Sequence, residues 1–232
     1  MEGWDGNPPP EYVPSNPSLR NYRRVVEVWW DDYTQYFYTT RPETTNLNYG
    51  DISVQKQFRI DNKCHSFQWF LDNVTPDLIK NFPLPPLNIR WGELRLEGTN
   101  QCMDSMAHKN GNGRVATYYC HQQGGNQLFR LTEGFQLAQY DSCVTLLDRM
   151  LREAEKPEND AEISVFQCGM EQYNNWYWDQ STLQIKFRTK KVPNLNEEFC
   201  IEALPSSGTH DLVLKKCTTV LENAKWQKWN FN

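Results

Sequence analysis

The sequence predicts a mainly β domain of three repeated units, preceded by a helical segment. Three observations carry this. Six of the seven cysteines recur in pairs with similar company. From Trp91 onward apolar and polar residues alternate with a period of two, as half-buried strands do. Residues 20–40, by contrast, show helical spacing.

Composition narrows the function classes. The 232 residues allow one large domain or two small ones. Lys and Arg total 24 against 29 Asp and Glu, a net charge of −5, which excludes a strongly basic nucleic-acid footprint. Hydrophobic residues reach only 38%, but aromatics at 13%, nine of them Trp, can fill a core. No apolar run is long enough for a transmembrane helix. Residues 1–15 hold three consecutive prolines and no apolar h-region, so no signal peptide is expected there.

The first element, the Pro-rich stretch up to Pro17, should be extended and pack only against something else. Ser18 is a candidate N-cap for a helix over 20–40. Val25, Val28, Trp29, Tyr33, Tyr36 and Phe37 follow helical spacing, while Val26 and Trp30 lie off that stripe. A helix apolar on more than one side is expected to pack inside a larger domain. Asp31 and Asp32 look superficially like a metal-binding pair, but adjacent helical residues diverge by about 100°, so a solvated face is expected. Arg41-Pro42 should end the helix. Asp51 or Ser53 can start a short polar helix, Ser66 a second, and Thr75-Pro76 another turn. PLPPLN at 83–88 reads as a stiff linker. Leu94/Leu96, Ile163/Val165 and Leu183/Ile185/Phe187 then alternate as strands. The charged run at 152–162 reads as a solvated loop.

Cys102, Cys120, Cys143, Cys168, Cys200 and Cys217 fall into three pairs separated by 18, 25 and 17 residues. Their second members recur 48 and 49 residues apart, a spacing that indicates repeated units rather than chance. The first Cys lies in QCMD, SCVT or FCIE, and the second ends VATYYC, ISVFQC or LVLKKC. Trp or Phe follows in NQLF, NNWYW and QKW. No CxxC is present, so a zinc ribbon or redox motif is not expected. Each proposed disulfide contributes about 3 kcal/mol in the chain-entropy model and needs an oxidising compartment. Cys64 is left over, either free or bonded outside this chain. Asn73-Val74-Thr75 is a glycosylation sequon, disfavoured by Pro76. His65, His108 and His210 have no neighbours at metal spacing, so surface or packing roles are expected.

Three repeats of short strands, each with a Cys pair and a terminal Q-x-W-like motif, resemble the ricin-type lectin β-trefoil. The correspondence is best in the first repeat, with CMD at 102–104, YYCH at 118–121 and GGNQLF at 124–129. The chain as a whole resembles the C-terminal part of a polypeptide N-acetylgalactosaminyltransferase. That likeness rests on RRVVEVWWDDYTQYFYTTRPE, YGDIS, CHSFQWFLDNV and WGELR, and GNPPPEYV and PLPPLN resemble one subfamily in particular. The resemblance implies residues 1–45 as the end of a GT-A α/β catalytic domain, 46–90 as a helical linker, and 91–232 as a ricin B-type trefoil. The trefoil repeats would run about 91–133, 134–180 and 181–232. It also implies a lumenal Golgi enzyme family, anchored as type II membrane proteins, that moves GalNAc from UDP-GalNAc to Ser or Thr with Mn²⁺. The linked lectin would bind GalNAc already present on glycopeptide or mucin-like acceptors, partly glycosylated peptides being the acceptors of that subfamily.

A nucleotide-sugar transferase needs acidic and histidine ligands for its metal and diphosphate. The family supplies them from an Asp-x-His motif, and no Asp-x-His occurs here. The lid segment that the resemblance places near Tyr12 is Pro-rich where the family usually has a Gly pair. This chain alone is therefore expected to hold neither Mn²⁺ nor UDP-GalNAc and to transfer no sugar.

The lectin chemistry is better represented. A galactose-type ring is held by a carboxylate, an amide and an aromatic face, and charged acceptors make the stronger hydrogen bonds. The resemblance assigns these roles to Asp104, Asn126 and Tyr118, with His121 as a further polar contact. The plainer alternative is that Asp104 and Asn126 fix turns and Tyr118 is core. The second repeat has Thr145 and Gly169 in place of the carboxylate and the imidazole, so no binding is expected there. The third has Glu202 and Thr218, its carboxylate displaced by one methylene. One shallow site implies affinity of about millimolar, roughly −4 kcal/mol, with avidity supplied by tethering. Two rival readings are a free-standing secreted lectin and a trefoil that binds no sugar.

Overall fold

A computed structural model describes residues 17–108, 111–148, 158–169, 175–187, 198–206, 208–220 and 224–232. The chain divides into two compact units, Met1–Asn81 and Phe82–Asn232.

The first unit is helical. α1 spans Pro17–Trp29 and α2 Thr34–Thr40, joined by a 3-10 turn at Asp31–Tyr33. The single helix expected over 20–40 is thus two, and the expected N-cap Ser18 lies inside α1, which already includes Pro17. The break has a local cause: Asp31 is left-handed at φ 48°, a conformation that a continuous α-helix cannot contain. The buried face also differs from the expected stripe. Val26 and Val28 are buried, whereas Tyr22, Val25 and Trp29 form an exposed apolar row at helical spacing.

Asp31 is exposed, as expected for a solvated face, but its carboxylate is engaged. Arg59 grips its carboxylate with two hydrogen bonds of 2.6 and 2.8 Å, and the Phe67 N–H donates at 2.9 Å. Its neighbour Asp32 is exposed. Arg59 comes from α3 (Ser53–Asp61) and Phe67 opens α4 (Phe67–Asn73), so one aspartate ties together three elements. The start signals hold: Asp51 accepts from Ser53 N–H, and Ser66 accepts from Trp69 N–H. Arg23 of α1 reaches the carbonyls of Thr44, Thr45 and Leu47 and anchors the loop that follows α2. A last short helix, α5, covers Leu78–Asn81. His65 stacks on Trp69 at 3.9 Å, a packing role.

The second unit is a curled sheet of twelve described strands, four per repeat. The first repeat contains β1 (Asn88–Leu96), β2 (Gln101–Asp104), β3 (Ala116–Tyr119) and β4 (Leu128–Thr132). The second contains β5 (Leu137–Gln139), β6 (Ser142–Leu146), β7 (Ala161–Gln167) and β8 (Trp176–Asp179). The third contains β9 (Gln184–Phe187), β10 (Phe199–Ala203), β11 (Leu212–Lys216) and β12 (Trp229–Phe231). Within each repeat the middle two strands form an antiparallel hairpin, and β12 returns to pair with β1, which joins the two ends of the unit.

Alternation explains the core. Leu94 and Leu96, Ile163 and Val165, and Ile185 are fully buried or nearly so and meet in one cluster. Phe129, Trp176 and Trp229 occupy equivalent inner positions, one per repeat. The Trp176 indole N–H donates to the Val144 carbonyl at 2.7 Å, and Trp229 repeats the bond to Ile201 at 3.1 Å. Phe129 has no donor to offer there. The three expected disulfides are present: Cys102–Cys120, Cys143–Cys168 and Cys200–Cys217. Cys64 is free and exposed.

The proline stretch at 83–88 is held against the sheet rather than standing off as a spacer. Glu133 N–H donates to the Leu87 carbonyl at 2.9 Å, and β1 begins at Asn88. Of the charged run at 152–162, residues 158–160 are exposed, Ala161 and Glu162 open β7, and the earlier part lies outside the described residues. The expected lid near Tyr12 also lies outside them. No described helix is long and apolar enough to cross a membrane.

Candidate carbohydrate-binding site

Strand β2 delivers Asp104 at its last position, opposite Ala116 of β3. The residue is only 1% exposed, yet its carboxylate is well provided with donors. Asn126 Nδ2 donates to Oδ1 at 2.5 Å, Met106 N–H to the same oxygen at 2.7 Å, and Gln127 Nε2 to Oδ2 at 2.9 Å. Asn126 and Gln127 sit on a 3-10 turn, Gly125–Gln127, whose approach requires Gly124 at φ 67° and ψ −130°. A side chain at Gly124 would strain that entry. Two residues after Asp104, Met106 and Ala107 are both left-handed without being glycine. Non-glycine residues persist in such conformations where surroundings impose them.

Gln127 is the hub. It is fully buried, and besides Asp104 its amide N–H₂ reaches the Tyr119 carbonyl at 3.0 Å, while its Oε1 accepts from His121 N–H at 3.1 Å. His121 is thereby fixed next to the cluster. Its Nδ1 accepts from Gln123 N–H at 3.1 Å, which leaves the neutral ring's proton on Nε2. Tyr118 projects from β3, 47% exposed, with Tyr119 edge-on to it at 6.0 Å. So Tyr118 is not a core residue. Asp104, Asn126 and His121 belong to one hydrogen-bonded group, and Tyr118 lies on the strand paired with β2.

The third repeat reproduces half of this arrangement. Gln227 Nε2 donates to Glu202 Oε2 at 2.7 Å and to the Lys216 carbonyl at 3.0 Å, and its Oε1 accepts from Thr218 N–H at 2.8 Å. The glutamine clamp is therefore a feature of the fold, present in two lobes. What distinguishes the first lobe is the rest: Asn126 becomes Trp226, Tyr118 becomes Lys215, and His121 becomes Thr218. Lys215 lies 3.8 Å from Glu202, so that carboxylate is partly neutralised from within. Trp226 packs edge-on against His210. In the second lobe the buried Thr145 hydroxyl has no hydrogen-bond partner among the described residues.

Sequence reading passed over Gln127 and Glu93. The Q-x-W-like motif marked the glutamine, but its three-way bonding appears only in three dimensions. Glu93 carried no signal, being one polar residue on a strand.

Among the described residues, one group of potential metal ligands is compact: Glu93, Cys102 and Cys120. Both sulfurs are consumed by a disulfide, which leaves a single carboxylate. Mn²⁺ favours several oxygen ligands, so these residues do not suit it. A cavity of about 460 Å³ in the second lobe is lined by Asp148, Glu158, Asp160 and Glu162 among others. Two of those acids are already paired, Glu162 with Arg114 and Asp160 with Lys215.

A family model for the ricin-type beta-trefoil lectin domain matches residues 90–229. The chain belongs to that lectin family. Over 232 residues it is also 40% identical to N-acetylgalactosaminyltransferase 7 of Homo sapiens, and over 212 residues 34% identical to that of Drosophila melanogaster. These alignments take in 100% and 91% of this chain but 32% of each relative. A solved structure, GalNAc-T7 with UDP, GalNAc and Mn²⁺, superposes with a TM-score of 0.80 at 38% identity, covering 100% of this chain and 38% of that one. The lectin-family chain thus spans about a third of the length of the curated relatives it matches. Its resemblance to the polypeptide N-acetylgalactosaminyltransferases, read above from short segments, extends along the whole sequence.

Proposed function

We propose that this chain is part of a polypeptide GalNAc transferase, and that its first lobe binds GalNAc carried by partly glycosylated acceptors. The supporting observation is the Asp104 carboxylate, oriented by three donors, Asn126 among them, on a strand paired with the one that carries an exposed Tyr118. A carboxylate held by fixed donors presents its remaining lone pairs to adjacent sugar hydroxyls. Asn126 completes the polar network, the Tyr118 ring takes the apolar C–H patch, and His121 Nε2–H adds a donor.

In this reading residues 1–45 close a GT-A catalytic domain, and the enzyme works in the Golgi lumen. The exposed row Tyr22, Val25 and Trp29 fits a helix that packs against further chain. Mn²⁺ and UDP-GalNAc, with the transfer to Ser or Thr, belong to the length of the relatives outside this chain. Tethering a glycopeptide here raises the local concentration of its remaining hydroxyls.

Titrating the chain with GalNAc tests the lectin role. The native chain should bind at about millimolar Kd, and Asp104→His should abolish binding while the three disulfides and fold remain. Equal binding by both chains would remove Asp104 from the site.

A further inference from the structure

Glu93 is a buried carboxylate that the proposed recognition does not use. It lies on β1, 7% exposed, with His121 and Cys102 of the first lobe within 4.0 Å of its carboxylate. Its main chain is pinned on both sides, since Glu93 N–H donates to Asn232 O at 3.1 Å and Asn232 N–H returns to Glu93 O at 3.0 Å. Among the described residues no group donates a hydrogen bond to its side chain. Oε1 has no hydrogen-bond partner among the described residues. Oε2 lies 3.8 Å from Cys102 Sγ, but that sulfur is in a disulfide and carries no proton to donate. Buried acceptors are ordinarily satisfied, so an orphan carboxylate calls for an explanation.

The explanation lies 4.0 Å away, where His121 Nδ1 faces Glu93 Oε1. We infer that Glu93 is a positioning residue for His121, the acceptor that receives Nδ1–H when the imidazole is protonated, and that sugar binding in the first lobe strengthens as pH falls. This inference rests on the first-lobe reading above. In the neutral ring Nδ1 accepts from Gln123 N–H, and Nε2–H is the donor available to a ligand. Protonation places a hydrogen on Nδ1, which can no longer accept from Gln123 and turns to Glu93. Nε2–H stays in place and becomes a charge-assisted donor.

Among the described residues, His121 is the ion-pair contact of Glu93. On β1, Arg95 makes no ion pair with Glu93, and its own Nε is without a partner. On β2, Asp104 is engaged by its three donors, and the turn at 125–127 contributes neutral amides. Tyr118 and Tyr119 are the nearby phenols on β3, and the Cys102–Cys120 disulfide does not titrate.

The test combines GalNAc titrations at about pH 8 and about pH 6, a range over which histidine titrates, with ¹⁵N spectra of the His121 ring. It uses the native chain, Glu93→Gln and His121→Ala. The native chain should bind about fivefold more tightly at the lower pH. Glu93→Gln should match the native affinity at high pH and lose the increase, and its ring should lack the hydrogen-bonded Nδ1 proton that the native ring shows at low pH. His121→Ala, altered at a partly exposed position, should bind weakly with no pH slope. An unchanged slope in either variant overturns the inference, as does an equal loss of affinity at both pH values in Glu93→Gln. If the native chain binds no GalNAc at either pH, the first-lobe reading falls, and the ring nitrogen signal still decides whether Glu93 holds the imidazole.

Discussion

Gln127 and Gln227 hold equivalent places in two lobes, and in the proposed function only the first of these lobes turns its glutamine to recognition. Each is at most 1% exposed, and each satisfies a carboxylate, a carbonyl and a backbone N–H. Replacing either by Leu leaves all three of those groups short of a partner. A buried unsatisfied group costs about 1–3 kcal/mol, and two of the carboxylate's other donors survive in the first lobe. Gln127→Leu and Gln227→Leu should therefore each lower stability by about 2 kcal/mol in urea titrations. Only Gln127→Leu should also weaken GalNAc binding, because it alone releases Asp104 and the His121 backbone. Comparable loss of sugar affinity in both variants would show that recognition is not confined to the first lobe. At this scale the residue types of the cluster were legible in the sequence, since Asp104, Asn126 and His121 fall in short motifs. The buried partners were not, because hydrogen bonding across strands depends on register that no local pattern records.

Elements were legible wherever a local signal set their boundaries. Ser66 caps α4, Asp51 accepts from the N–H of Ser53 that opens α3, and Arg41-Pro42 follows the end of α2. The region around Asp31 was read incorrectly because a tertiary contact overrode helical periodicity. Three donors from α3 and the start of α4 hold that carboxylate, and the chain bends through a left-handed residue to meet them. The hydrogen bonds from Arg59 are the main reason that Asp31 ionises below the usual aspartate range. Its folded pKa is therefore lower than its unfolded one. The stabilisation is complete above the ordinary aspartate value and fades as pH falls through the lowered one. Asp31→Asn keeps the shape and tolerates positive φ. With a third of the side chain exposed, solvent screening holds the expected loss at neutral pH to about 1 kcal/mol. Hydrogen exchange of α3 and α4 amides should show that loss at neutral pH and none at strongly acidic pH. A deficit independent of pH would mean that the charge is not what joins these helices.

Threefold repetition at the scale of the whole molecule allows stability to be tested apart from the proposed recognition. The cysteine spacing made the repeat visible, because each disulfide clips one hairpin and the hairpins share one core. The closure of β12 onto β1 was not visible, since it joins the two ends of the second unit and depends on the curl of the entire sheet. The three disulfides close loops of similar length, with separations of 18, 25 and 17 residues. Loop-closure entropy grows only slowly with length, so each should contribute about 3 kcal/mol. Their positions relative to the candidate site differ sharply. Cys102 lies two residues before Asp104, and Cys120 immediately precedes His121. Replacing Cys143 and Cys168 by Ala should lower the thermal midpoint about as much as replacing Cys102 and Cys120. GalNAc affinity of the folded chain should persist in the first double variant and disappear in the second. If both kept the native affinity, the Asp104 cluster would be holding its geometry through Gln127 and Asn126 alone. If both lost it, binding would depend on the whole sheet as a unit and not on one lobe.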